Sequence, residues 1–211
     1  MDFTLSKEHE MARTLFREFA EKEVKPLAVE VDETEEFPRA TVEKMAKAGF
    51  MGIPIPKEYG GQGCDVLTYA MCVEELAKVC GTTAVIVSAH TSLCCDPILT
   101  YGTEEQKQKY LPDLASGKKI GAFGLTEPGA GTDAQGQQTK AVLEGDEWVL
   151  NGSKIFITNG KEADVYVIFA ITGVVEKRGR MTKEISAFIV EKGTPGFTFG
   201  TKEKKMGIRG S

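Results

Sequence analysis

The chain has 211 residues, of which 41% are hydrophobic and 27% charged, and a net charge of −5. That balance excludes a disordered tail and describes a globular protein of one large or two modest domains. The acidic charge argues against nucleic acid as a partner, because phosphate binding needs a basic face.

Residues 1–10, MDFTLSKEHE, are polar and acidic, unlike a signal peptide. Ser6 can cap a first helix carrying Met11, Leu15, Phe16 and Phe19 on one face. Val42, Met45 and Ala46 repeat the helical spacing, and Gly49 is a natural stop. Residues 50–63 form a Pro/Gly-rich connection in which Pro54, Pro56, Gly60, Gly61 and Gly63 cannot sustain a helix. Asp65 starts the next, with Val66, Tyr69, Ala70, Val73 and Ala77 facing inward. Gly81 breaks it and Thr82 or Thr83 restarts it. A capping box stands at 103–106, and Pro112 and Gly117 end the helical half.

From residue 120 the period changes. Residues 120–126 are a short apolar run, and 140–144 and 147–150 flank the hairpin signal Gly145-Asp146. Asn151-Gly152 is a second hairpin signal, leading into a strand over 154–158. Residues 165–172, 185–190 and 197–200 are three more candidate strands. The most apolar stretch, 165–175, is too short to span a bilayer, so a cytoplasmic protein with no membrane partner is expected. Short, closely spaced strands predict an α+β, multi-domain chain: an all-α bundle over 1–119, then an antiparallel, β-barrel-like domain over 120–211.

Cys64, Cys72, Cys80, Cys94 and Cys95 are odd in number and lack a Cys-x-x-Cys, so neither disulfides nor a metal site are suggested. His90 lies near Cys94 and Cys95, but nothing in the sequence orients it as a base, and a structural role is expected.

Residues 122–136, AFGLTEPGAGTDAQG, join a strand-like run to a glycine-rich loop with free N–H groups and little bulk, able to close on a flat ring or an anion. On physical grounds alone a plain interdomain loop is the favoured reading. Residues 129–134 fit a dinucleotide fingerprint, but no βαβ unit surrounds them. In KIFITNG, 154–160, alternation would put Phe156 and Thr158 on one face, an aromatic beside a hydroxyl, which suits a flat ligand with polar edges. The same face could simply be core.

TEPGAGTD and KIFITNG, at this separation and after a helical half, resemble the middle-domain signatures of the acyl-CoA dehydrogenases. VEELAKVCGTT (73–83), SAHTSLC (88–94) and GTEEQKQKYLP (102–112) are similar to the short-chain, butyryl-CoA branch. The resemblance implies FAD as cofactor. Phe123, Leu125, Thr126, Gly131, Thr132, Phe156, Ile157 and Thr158 would contact it, with Leu125 and Thr126 near the pyrimidine edge and Thr158 near flavin N5. Thr132 would also line the acyl-CoA path, and the helix over 88–95 would help select chain length. It further implies short-chain acyl-CoA substrates, electron-transfer flavoprotein as electron acceptor and a homotetrameric parent. A third, helical domain would supply the base glutamate. These 211 residues do not contain it, so the chain reads as truncated and none of them is assigned a catalytic role. A non-catalytic acyl-CoA- or partner-binding module and an acyl-CoA oxidase are the alternatives.

Overall fold

A computed structural model describes residues 4–177 and 179–211. The helical half comprises α1 (Lys7–Phe19), α2 (Ala28–Thr34), α3 (Arg39–Lys47), α4 (Val66–Ala77), α5 (Gly81–Ser88), α6 (Asp96–Tyr101) and α7 (Glu104–Ala115). A π-helical turn over Ala89–Cys95 fuses α5 and α6 into one continuous helix, Gly81–Tyr101. By length and composition that helix could cross a membrane, but 61% of its apolar window is buried inside the fold, where it serves as the central strut.

The expected caps form. Ser6 accepts from His9 N–H, Asp65 from Thr68 N–H, and Thr103 and Gln106 make a reciprocal capping box. Several inward faces differ from expectation. On α1, Phe16 is buried while Met11 and Leu15 are exposed. On α4 the buried set is Thr68, Met71, Cys72, Glu75 and Leu76, whereas Val66, Ala70 and Ala77 are exposed. The reason is that α4 is apolar almost all round, so periodicity leaves its orientation open. Glu75, which would normally mark the wet face, is buried among Arg13, Arg17 and Lys78. The break between helices falls as expected, α4 ending at Ala77, but Gly81 itself begins α5, one residue before Thr82, and Pro112 lies inside α7. The proline forfeits one backbone bond, but buried Tyr110, Leu111, Leu114 and Ala115 carry the helix a further turn.

The second half holds one five-stranded sheet: β1 (Gly121–Gly124), β2 (Lys140–Glu144), β3 (Glu147–Asn151), β4 (Val165–Lys177) and β5 (Arg180–Glu191). The β2–β3 and β4–β5 pairs are antiparallel, the former through the expected Gly145-Asp146 turn with Gly145 at φ +68°. β1 and β2 both run parallel to β4, at Gly121↔Val165 through Gly124↔Ile168 and at Lys140↔Ile171. The helix-then-sheet architecture stands as expected, but its sheet is mixed rather than wholly antiparallel. Local turn signals fix hairpins; they carry no information on how β1 pairs with a strand some forty residues later.

Asn151-Gly152 does not make a hairpin, and 154–158 is not a strand. A Cβ at Gly152 would fall 2.4 Å from Thr139 Oγ1, so the glycine permits a close crossing of two chain segments. Phe156 has φ +58°, which breaks the alternation assumed for a strand. Residues 197–200 are also irregular, yet Phe197 and Phe199 pack on Tyr166 with ring centroids 4.8 and 5.9 Å away. The segment after them returns to the helices, where Arg209 Nη2 donates to Asp32 Oδ2 at 2.7 Å. One core cluster spans both halves: Phe16, Met45, Phe50, Leu76 and Ile86 pack with Ala122, Tyr166 and Ile168 of the sheet.

Candidate functional site

β1 is held against the central helix by two buried polar side chains. Gly121 N–H donates to His90 Nδ1 at 2.9 Å, and His90 Nε2 in turn meets Leu114 O at 3.1 Å. Asn159 Nδ2 donates to Ile86 O (3.2 Å) and Gly121 O (3.1 Å). Burial pushes the His90 imidazole down to about 4, so it is neutral, with the proton on Nε2. Burial likewise pushes the Cys94 thiol up to about 12 and the Cys95 thiol well above its ordinary value. The His90–Cys95 contact, 3.4 Å, is therefore between uncharged, inert groups, in line with the structural role expected.

Beyond β1 the chain passes along one wall of a cleft of about 200 Å³. Phe123, Leu125 and Thr126 form that wall; Phe156, Ile157 and Thr158 form a second; Ala89 and Leu93 of the central helix close a third side. The two motifs distant in sequence thus meet at one place. Gly131 and Thr132 do not line this cleft; both are exposed on the loop beyond the tight turn in which Glu127 and Ala130 exchange backbone hydrogen bonds at 3.0 and 3.1 Å. Among the described residues no carboxylate lines the cleft.

The lining suits a flat ring with polar edges. Among the described residues, the Thr126 and Thr158 hydroxyls and the Thr126 N–H have no protein partner, so all are available to a ligand. Phe156 is 71% exposed, an unusual state for a phenylalanine. The volume is below the ~300 Å³ at which pockets for whole small ligands begin. The cleft can therefore seat one part of a large cofactor.

Sequence reasoning missed the group that joins the walls. Lys154 Nζ is buried and donates to Leu125 O (2.9 Å), Glu127 Oε1 (2.7 Å) and Gln137 Oε1 (3.0 Å). Glu127 also accepts from the backbone N–H of Gln138 (2.6 Å) and Thr139 (3.0 Å). Burial alone would raise the Glu127 carboxyl, but these donors outweigh it and hold it at about 2. One signal was present: Lys154 is the single charge in KIFITNG, and Glu127 sits in TEPGAGTD.

The acyl-CoA dehydrogenase N-terminal domain family matches residues 6–118, and the acyl-CoA dehydrogenase middle domain family matches 122–211. The chain belongs to the acyl-CoA dehydrogenase family. A short-chain-specific acyl-CoA dehydrogenase of Clostridium acetobutylicum is 64% identical over all of this chain and 55% of its own length. The butyryl-CoA dehydrogenase structure from Megasphaera elsdenii superposes with a TM-score of 0.92 at 47% identity, covering all of this chain and 55% of that one. An acyl-CoA dehydrogenase complexed with FAD, from Bacillus anthracis, gives 0.88 at 39% identity over 97% of this chain and 35% of that one. The chain spans about half the length of the curated relatives it matches. The acyl-CoA dehydrogenase signatures TEPGAGTD and KIFITNG are the segments that approach one another at the cleft.

Proposed function

We propose that the cleft is part of an FAD site in a protein that dehydrogenates short-chain acyl-CoA thioesters, butyryl-CoA foremost, between the α and β carbons. The observation that carries this reading is the meeting of Phe123, Leu125 and Thr126 with Phe156, Ile157 and Thr158 around one opening. Phe156 would pack on the ring system, and the Thr126 N–H and the two threonine hydroxyls would bond its polar edges. FAD, when bound, supplies the acceptor for the hydride that leaves the β carbon. Ala89 and Leu93, one helical turn apart, would bear on the length of the acyl chain. Gly131 and Thr132 would contribute from the exposed loop, Thr132 along the acyl-CoA path.

The domain division at 119/120, a cytoplasmic location, a homotetrameric parent and electron transfer to electron-transfer flavoprotein complete the proposal. The 211 residues by themselves would hold FAD without dehydrogenating, since among the described residues no carboxylate stands at the cleft to take the α proton. The test is to titrate the purified chain with FAD, following flavin fluorescence, and then mix it anaerobically with butyryl-CoA. Binding without bleaching is expected. Bleaching at the rate of a full-length relative overturns the claim of inactivity. A folded chain that binds butyryl-CoA but no FAD overturns the cofactor reading in favour of a non-catalytic module.

A further inference from the structure

The proposed FAD site leaves one feature unused, a buried ion pair behind the cleft wall. Lys154 and Glu127 have side chains only 7% and 6% exposed. An ammonium has three hydrogens, and each of these is spent: on Leu125 O, Glu127 Oε1 and Gln137 Oε1. The first acceptor belongs to one wall of the cleft, and Lys154 itself stands two residues before the other, Phe156 to Thr158. A backbone bond from Ile155 N–H to Thr126 O, 2.9 Å, closes the same seam. Glu127 extends the knot to Gln138 and Thr139, just ahead of β2.

Two physical consequences follow. The first is geometric. The peptide unit is planar and trans, so its C=O and N–H point in opposite directions. When Lys154 draws the Leu125 carbonyl towards itself, it turns the N–H of the same peptide, that of Thr126, the other way, and that N–H is without an acceptor among the described residues. The second is electrostatic. A lone buried charge one peptide from the cleft would act through a low-dielectric medium, whereas a pair in contact presents little net field.

We propose that Lys154 and Glu127 are positioning residues for the cleft: the pair fixes the register of its two walls, orients the Thr126 N–H, and keeps the space between them free of net charge. Neither residue touches the bound ring. The proposal rests on the flavin reading of the cleft, but its two consequences can be measured separately.

The experiment uses the 211-residue chain and two variants, Lys154→Met and Glu127→Gln. Amide exchange is followed without flavin, and FAD affinity and the midpoint potential of bound flavin are then measured. Lys154→Met is expected to speed exchange at 124–128 and 153–160, while α4 and the central helix stay protected, and to weaken FAD binding by about tenfold or more, the loss of one charged hydrogen bond. The potentials are expected to move in opposite directions. Glu127→Gln leaves an unpaired ammonium and raises the potential; Lys154→Met leaves an unpaired carboxylate and lowers it. A merely structural pair would move both the same way or neither. Exchange confined to the two segments, in a chain that binds no FAD, would sink the flavin reading and leave the register claim standing. Wild-type FAD affinity and exchange in Lys154→Met, or potentials that shift together, overturn the positioning proposal.

Discussion

The imidazole of His90 accepts the backbone N–H of Gly121 at 2.9 Å, which couples the middle of the central helix to the first residue of the sheet. The bond requires an unprotonated Nδ1, and burial keeps it so by depressing the imidazole to about 4. The unfolded chain protonates His90 at its ordinary value of about 6.5. A depressed group of this kind stabilises the fold above the unfolded value and loses that contribution as pH falls towards the folded one. Urea unfolding of the wild type should therefore weaken from about pH 6.5 down to about pH 4, by an amount on the order of 3 kcal/mol. The variant His90→Gln should be less stable at neutral pH but flatter across that range. Parallel curves for the two proteins would show that another group controls the slope.

Glu75 is the buried anion of the helical half, 2% exposed, and receives Arg13 Nε (3.0 Å), Arg17 Nε (3.2 Å) and Lys78 Nζ (2.8 Å). Burial opposes its charge, yet the three cations hold the carboxyl at about 2. Its contribution is complete above about pH 4.5 and is lost as pH falls towards 2. Glu75→Gln should destabilise the fold by about 2–3 kcal/mol in chemical denaturation. Arg17→Ala should be indistinguishable from wild type, because Arg17 is 58% exposed and two cations remain. A large loss in Arg17→Ala would mean that the carboxylate depends on one partner rather than three.

Gly124 ends β1 between Phe123 and Leu125 of the cleft wall, and a Cβ there would sit 2.5 Å from Ile168 Cδ1 on β4. Gly124→Ala should cost about 1–3 kcal/mol through overpacking. Ile168→Val deletes the offending methyl, so the double variant should recover most of that loss. A double-mutant cycle on urea midpoints measures the coupling, and additive losses would place the strain elsewhere, with Lys154 Cγ at 3.4 Å as the next neighbour.

How much of this was legible in the sequence depended on range. Caps at Ser6, Asp65 and Thr103, the stop at Gly49 and the β2–β3 turn each depend on a few neighbouring residues, and all are present in the structure. The inward face of α4 was not legible, because its only strongly polar inward residue, Glu75, is neutralised by arginines some sixty positions away. The parallel pairing of β1 with β4 and the Lys154–Glu127 pair are likewise long-range and leave no periodic trace. The cleft was found by likeness of motifs rather than by period. The period itself misled at 154–158, where alternation implies a strand and the backbone instead turns left-handed at Phe156.

That turn supplies a last prediction. A phenylalanine at φ +58° that is 71% exposed carries strain and contributes little burial in return. Such a cost persists where it serves another purpose, and here the ring stands at the mouth of the proposed flavin cleft. Phe156→Gly removes the strain, about 1 kcal/mol or more, because glycine adopts this conformation freely. The variant should therefore unfold at the same temperature as wild type or higher. It should also bind FAD about tenfold more weakly, having lost an aromatic stacking partner. A variant that is less stable and binds FAD normally would assign the ring to packing. Opposite movement of stability and affinity would mark Phe156 as strained in the service of the ligand.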